Sequence, residues 1–275
     1  MASVRRKVRG TRVSIWFTGR VEGRRWGVGD AAGEADGLDL GKIVAATVRL
    51  LDAEGLGRLS MRRLAAELGV TAMSVYWYVD TKDELLELAL DRAYAELDLP
   101  GDDGADWAAQ LRQLAHGHRR VLADHPWVSR LAGEYLNVGP RAMACVAAAQ
   151  RAMRRAGLPE ECLTGGLSLL FPFSYGFGGV GGRWAELCRA AGVPEDECYR
   201  RFVETLREHP EYVRPPAAVA PVPAVPPVPA VPAVLPGGQE QRDRDFNFAL
   251  ECVLAGMAAM RDRVAEQVRP TISPA

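Results

Sequence analysis

Cysteine is scarce and poorly spaced in this chain. Cys145, Cys162, Cys188, Cys198 and Cys252 are odd in number, and no pair has CxxC or metal-finger spacing. That excludes a disulfide framework and a zinc knuckle, and fits reduced, buried thiols in a cytoplasmic protein. An excess of one charge is missing too. The 34 Lys and Arg stand against 35 Asp and Glu, a net −1, so any nucleic-acid contact must come from a local patch. No apolar run is long. The longest, around 167–177, is broken by Pro172, Ser174 and Gly176, which is too short to span a bilayer. The basic start leads into Trp16-Phe17-Thr18-Gly19-Arg20, which is not a signal-peptide core. His116, His118, His125 and His209 have no carboxylate or cysteine at metal-ligand spacing. A nucleophile elbow, a paired acid-base carboxylate site and a P-loop are likewise absent. The expectation is therefore no metal, no cofactor and no enzyme activity.

What the chain does contain is helical periodicity. Residues 40–53 place Leu40, Ile43, Val44, Thr47, Val48 and Leu51 on one face, with Gly55 and Gly57 behind them. A second stripe, Leu85, Leu86, Ala89, Leu90, Ala93 and Leu97, marks a long helix over 83–97, closed by Pro100-Gly101. Helices are expected over 106–123, 141–156, 163–188, 194–208 and 243–264, with a short one from Trp127 to Leu131. Residues 1–37 form a separate arm: Arg5, Arg6, Lys7, Arg9, Arg12, Arg20, Arg24 and Arg25 face only Glu22 before an acidic, glycine-rich linker. Residues 215–238 alternate Pro, Val and Ala without charge until the final Gly-Gly, which favours an extended loop over a core helix.

The organising stretch is 59–85. Ser60 can cap a helix with Met61, Leu64, Ala65 and Leu68 inward; Gly69 supplies a left-handed exit; Thr71 can cap a second helix over 72–78 that carries Val75 inward. Helix, glycine turn and helix in twenty residues is either a plain helical hairpin or the helix-turn-helix whose second helix enters the DNA major groove. The run Leu59-Ser60-Met61-Arg62-Arg63-Leu64-Ala65, then Leu68-Gly69-Val70, Ser74-Val75-Tyr76-Trp77-Tyr78 and Lys82, Leu85, Leu86 resembles the DNA-binding domain of the tetracycline-repressor (TetR) family. The match runs over 38–88 without a gap. One departure is Tyr78, where many members carry His.

The resemblance implies an all-α protein with a three-helix DNA-binding head (38–84) and a larger helical ligand-binding and dimerisation domain (85–275). It implies a homodimer bound to double-stranded operator DNA and released by a small-molecule effector. It places Tyr76 and Lys82 on phosphate, with Ser60 near one. From the residues themselves, Thr71, Ala72, Met73 and Ser74 suit base edges and thymine methyls, with Tyr78 and Arg62 as further candidates. Trp77 either reads DNA or packs beneath the head. Arg5, Arg6, Lys7 and Arg9 could enter a minor groove.

For the effector, the aromatics Phe171, Phe173, Tyr175 and Phe177, with Trp107, Trp127 and Met143, suggest an apolar pocket or simple packing. His118, Tyr135 and Asn137 are its candidate polar groups. Gly176-Phe177-Gly178-Gly179-Val180-Gly181 satisfies GxGxxG, but the flanks lack the strand and acidic residue of a dinucleotide fingerprint. Three functions remain open: a repressor released from a near-palindromic operator by an apolar molecule, a nucleotide-cofactor enzyme, and a DNA-binding protein controlled by a protein partner at the proline-rich loop. No membrane association is expected.

Overall fold

In a computed structural model the described residues are 14–17, 37–101, 106–208 and 238–268. Among them are ten α-helices, one 3-10 turn and no strand. The first four helices are α1 (Leu40–Glu54), α2 (Met61–Glu67), α3 (Ala72–Tyr76) and α4 (Lys82–Tyr94). Then come α5 (Trp107–Asp124), α6 (Pro126–Leu131), α7 (Pro140–Arg155), α8 (Glu160–Ala191), α9 (Glu195–Glu208) and α10 (Gly238–Val268). The all-α expectation holds.

The starts of the first four helices share one physical cause. Asp39, Ser60, Thr71 and Thr81 each sit in an extended conformation and accept a backbone N–H three residues on, satisfying a donor the helix cannot. Gly69 takes φ +68 after α2, the left-handed exit the sequence predicted. Leu40, Ile43, Leu51, Leu64, Val75, Leu85 and Leu88 are almost fully buried, and α1 packs on α2 and α4 while α2 packs on α3.

The chain divides into two compact units, the first ending at Gly178 and the second beginning at Gly179. The first holds the head together with α4 to α7 and the start of α8, so the head is not a separate unit. Here α4 touches α5, α6 and α7, and α5 touches α6 and α7. Gly178 lies on α5: an added Cβ would stand 2.8 Å from Leu122 Cβ and 2.9 Å from the Arg119 carbonyl. The GxGxxG run is thus interior to α8, with no strand before it, and cannot form a phosphate-binding turn. In the second unit α9 packs on α10, Trp184 meets Phe202 edge-on at 5.9 Å, and the Gly238 N–H donates to Asp196.

Residues 14–17 depart from the expected flexible arm. Ile15–Phe17 form a 3-10 turn with Ile15 buried. The Ser14 hydroxyl and, at 3.2 Å, the Ile15 N–H both donate to Glu87 Oε2 on α4. Arg5, Arg6, Lys7 and Arg9 lie outside the described residues, as does nearly all of 215–238.

Candidate DNA interface and effector site

The head presents a coherent outer face. Thr71, Met73, Tyr76 and Trp77 are exposed, Trp77 at 82%, while Ala72 and Ser74 are half-buried and Val75 is fully buried. Trp77 therefore projects outward and does not pack beneath the head. Thr71 Oγ1 and Ser74 Oγ are 2.9 Å apart, so these hydroxyls are pre-set as a pair. On the neighbouring helix Arg62 is exposed. Arg63 instead turns inward to Glu54 at 2.6 Å and Glu67 at 3.2 Å, tying α2 to the foot of α1.

Two candidate DNA contacts are modified by the geometry. Helix α3 stops at Tyr76, and Tyr78 beyond it donates its hydroxyl to the Leu38 carbonyl at 2.5 Å. Tyr78 thus spends its hydroxyl anchoring the chain entering α1, because that carbonyl precedes the helix and needs a donor. Lys82 Nζ donates to the Leu59 carbonyl at 2.7 Å, one of the three bonds an ammonium can make.

The proposed effector residues separate into distinct places. Trp127 is buried, and its indole N–H donates to Asp52 Oδ1 of α1 at 2.6 Å, tying α6 to the head. Tyr135 is also a tie, its hydroxyl donating to Asp83 of α4 at 2.8 Å. Met143 is 47% exposed on the first turn of α7. Trp107 is eleven residues from His118 on α5, roughly 16 Å along the axis. Phe173 and Phe177 pair with each other at 5.1 Å.

A tighter group assembles around His118. Its Nε2 is 3.0 Å from the Tyr94 hydroxyl, and Phe171 of α8 meets the ring edge-on at 5.3 Å. Asn137 hydrogen-bonds Tyr94, while Cys145 and Tyr175 are its electrostatic neighbours; the Tyr175 hydroxyl donates to the Ser129 carbonyl. Burial holds His118 down at about 4, so the imidazole is neutral at pH 7, and burial pushes the Cys145 thiol up to about 12. Tyr94 is raised chiefly by burial. His118 Nδ1 is buried without a hydrogen-bond partner, a costly condition for a polar atom. The cluster is apolar in its walls and uncharged in its polar groups. Sequence reasoning found His118, Asn137, Phe171 and Tyr175 but missed Tyr94 and Cys145. Tyr94 directly follows Ala93 of the α4 apolar stripe, and a tyrosine adjoining such a stripe is a usable signal.

A helix-turn-helix with an outward α3 face, joined by α4 to a helical domain, defines a DNA-binding transcription regulator. Residues 43–89 match the family described as bacterial regulatory proteins, tetR family, and residues 99–261 match the Tetracyclin repressor-like, C-terminal domain. The chain belongs to the TetR family.

It is 33% identical over 195 residues to the HTH-type transcriptional repressor DrrR1 of Streptomyces coeruleorubidus, covering 70% of this chain and 69% of that one. It is 47% identical over 103 residues to an HTH-type transcriptional regulator of Saccharopolyspora erythraea, a match covering 38% of this chain and 44% of the relative. Among solved structures, ActR of Streptomyces coelicolor in complex with actinorhodin aligns with TM-score 0.60 at 27% identity, covering 82% of this chain and 99% of that one. Among the described residues no helix is long and apolar enough to cross a membrane.

Proposed function

We propose that the protein is a homodimeric repressor that leaves a near-palindromic operator when a small, largely apolar molecule enters the Tyr94–His118–Phe171 cluster. The main support is the buried, unpartnered Nδ1 of His118 among aromatic neighbours, since an effector oxygen there would satisfy an atom that no protein group pairs. An uncharged aromatic with a hydroxyl or carbonyl fits, because burial keeps His118 neutral and the cluster supplies no charge. Actinorhodin, the compound in complex with the related ActR, serves as the first probe.

DNA contact falls to Thr71, Ala72, Met73 and Ser74 on base edges, with Tyr76, Lys82, Ser60 and Arg62 on the backbone. Dimerisation falls to the second unit. Val180, Leu187, Phe202, Phe248 and Met260 are all large apolar side chains at least 48% exposed, an amount a monomer rarely leaves uncovered. Residues 38–84 serve as head and 85–275 as the effector and dimer domain.

The test is an electrophoretic shift on a duplex that the full-length protein selects from a random pool, with native mass spectrometry of the complex. A palindromic selected site, two protomers per duplex and release by actinorhodin or by a member of a panel of aromatic hydroxyl and carbonyl compounds are expected. A monomer bound to an asymmetric site, unaffected by the whole panel, would refute the proposal.

A further inference from the structure

His125 lies at the corner where α5 ends and α6 begins, and it is buried. Both ring nitrogens face carboxylates: Nδ1 is 2.7 Å from Asp52 Oδ1, and Nε2 is 3.1 Å from Glu96 Oε2. Asp52 belongs to the last turn of α1, three residues before Gly55 with its φ of +75. Glu96 lies just past the end of α4. Trp127 delivers a second donor to the same Asp52 oxygen. Two residues beyond Asp52, Glu54 holds Arg63 of α2. One imidazole therefore grips the foot of the head from the corner of the effector-binding helices.

The same two helices carry the effector cluster. Tyr94 is two residues before Glu96, and His118 is seven residues, about two turns, before His125. The Tyr94–His118 contact and the Glu96–His125 contact are thus successive bridges between α4 and α5. A molecule that wedges the first pair apart acts directly on the second.

We propose that His125 is the positioning residue of this regulator. By clamping Asp52 and Glu96 together it fixes the head against the effector-binding helices, and effector binding reaches the head by loosening that clamp. The proposal rests on the dimeric, effector-released repressor described above and names how that site is regulated. Geometry makes the clamp ionic: only a doubly protonated ring donates to both carboxylates. Burial alone would lower the imidazole, but its hydrogen bonds to Asp52 and Glu96 and the negative charge of these carboxylates together outweigh it and hold His125 at about 9. With the folded value above the unfolded one, the stability the clamp contributes is complete below about 6.5 and is lost as pH rises through about 9, while the folded ring itself is still protonated at pH 7.5. Asp52 and Glu96 are the charged groups facing the ring, and Arg120 reaches the Glu96 carbonyl at 3.5 Å.

The experiment measures how rigidly the two heads are spaced. The selected palindromic duplex is compared with one carrying a single extra central base pair, which moves the half-sites apart by about 3.4 Å and rotates them by roughly a tenth of a turn. The ratio of the two affinities is read by fluorescence anisotropy for wild type, His125→Gln and Glu96→Gln at pH 7.5 and pH 10. Taking a ratio cancels general pH effects on DNA binding. Wild type should lose about tenfold or more on insertion at pH 7.5 and only a fewfold at pH 10. His125→Gln should lose only a fewfold at either pH. Glu96→Gln, at a half-exposed position that folding tolerates, should fall between and keeps the test valid if His125→Gln does not fold. A wild-type ratio that is the same at both pH values, or variants as strict as wild type at pH 7.5, overturns the proposal. Selection of a site without dyad symmetry would instead overturn the dimeric reading beneath it.

Discussion

The cap on α7 offers the sharpest test of how α4 is built into the fold. Helix α7 begins at Gly139-Pro140 and has no capping side chain of its own. Asp91 of α4 supplies one from fifty residues away, its Oδ1 accepting the Arg141 N–H at 2.9 Å and the Ala142 N–H at 3.2 Å. Gly139 is required by this arrangement: a Cβ there would stand 2.2 Å from Asp91 Oδ1 and 2.7 Å from Asp91 Cβ, so the carboxylate could not simply rotate away.

Removing the acceptor with Asp91→Ala leaves the buried Ala142 N–H and the part-buried Arg141 N–H unpaired. At about 1–2 kcal/mol each, the expected loss is roughly 2–4 kcal/mol, or about 4–16 °C in melting temperature for a domain of this size. Asp91→Asn keeps an acceptor and discards the charge. Burial raises the Asp91 carboxyl, against the pull of the Ala142 and Arg141 N–H groups and the Arg141 charge. A raised acid is destabilising in its ionised form, so stability falls as pH rises from the unfolded carboxylate value through the folded one. Asp91→Asn should therefore cost under about 1 kcal/mol at pH 7.5 and flatten that acid-side slope. Gly139→Ala should resemble Asp91→Ala. Urea unfolding followed by circular dichroism at pH 4.5 and 7.5 reads all three. Equal losses for Asn and Ala at position 91 would show that charge, not hydrogen-bond acceptance, makes this cap, and would refute the reasoning.

Other expectations follow from single contacts. Gly178→Val should lower stability by about 1–3 kcal/mol through overpacking against Leu122. Gly176→Ala, where nothing lies within 4 Å of the added Cβ, should be neutral or stabilise by up to about 1 kcal/mol in thermal melts. His118→Leu should preserve operator affinity and abolish release by actinorhodin; parallel loss of both would remove His118 from the effector site. Lys82→Ala should weaken binding to all duplexes and reduce the log–log salt slope by about 0.9 per lost phosphate contact. Met73→Ala should instead change preference at one base pair, by about 1–3 kcal/mol of discrimination, as read by competition with singly substituted duplexes.

The head was legible because its signals are local. Ser60, Thr71 and Thr81 cap helices within three residues of themselves, and Gly69 needs only its own dihedral. Burial of Leu64 and Val75 follows from helical spacing alone. The Tyr94–His118 cluster is assembled from α4, α5, α7 and α8, and a list of aromatics cannot say which of them meet. Trp127 and Tyr135 looked like pocket residues because their partners, Asp52 and Asp83, are 75 and 52 positions away. Tyr94 was hidden by an apolar stripe that accounted for its helix without it. Ser14 and Ile15 were hidden by the basic residues around them; their fit to Glu87 depends on a contact 73 residues distant.

Asp83, Glu87 and Asp91 recur every four residues and so lie along one side of α4. Each holds a different part of the chain: the Tyr135 hydroxyl, the Ser14–Ile15 turn and the start of α7. For anyone recombining this protein with its relatives, the helix is keyed like a lock barrel. A head grafted from another regulator with its own α4 would bring the wrong teeth and leave Tyr135, the α7 amides or Ser14 without acceptors. A graft cut between Val79 and Lys82 leaves the whole key with its native wards. It then needs an α1 face that packs on α4 and an acidic residue at the position of Asp52, so that His125 and Trp127 still find their carboxylate in the foreign head.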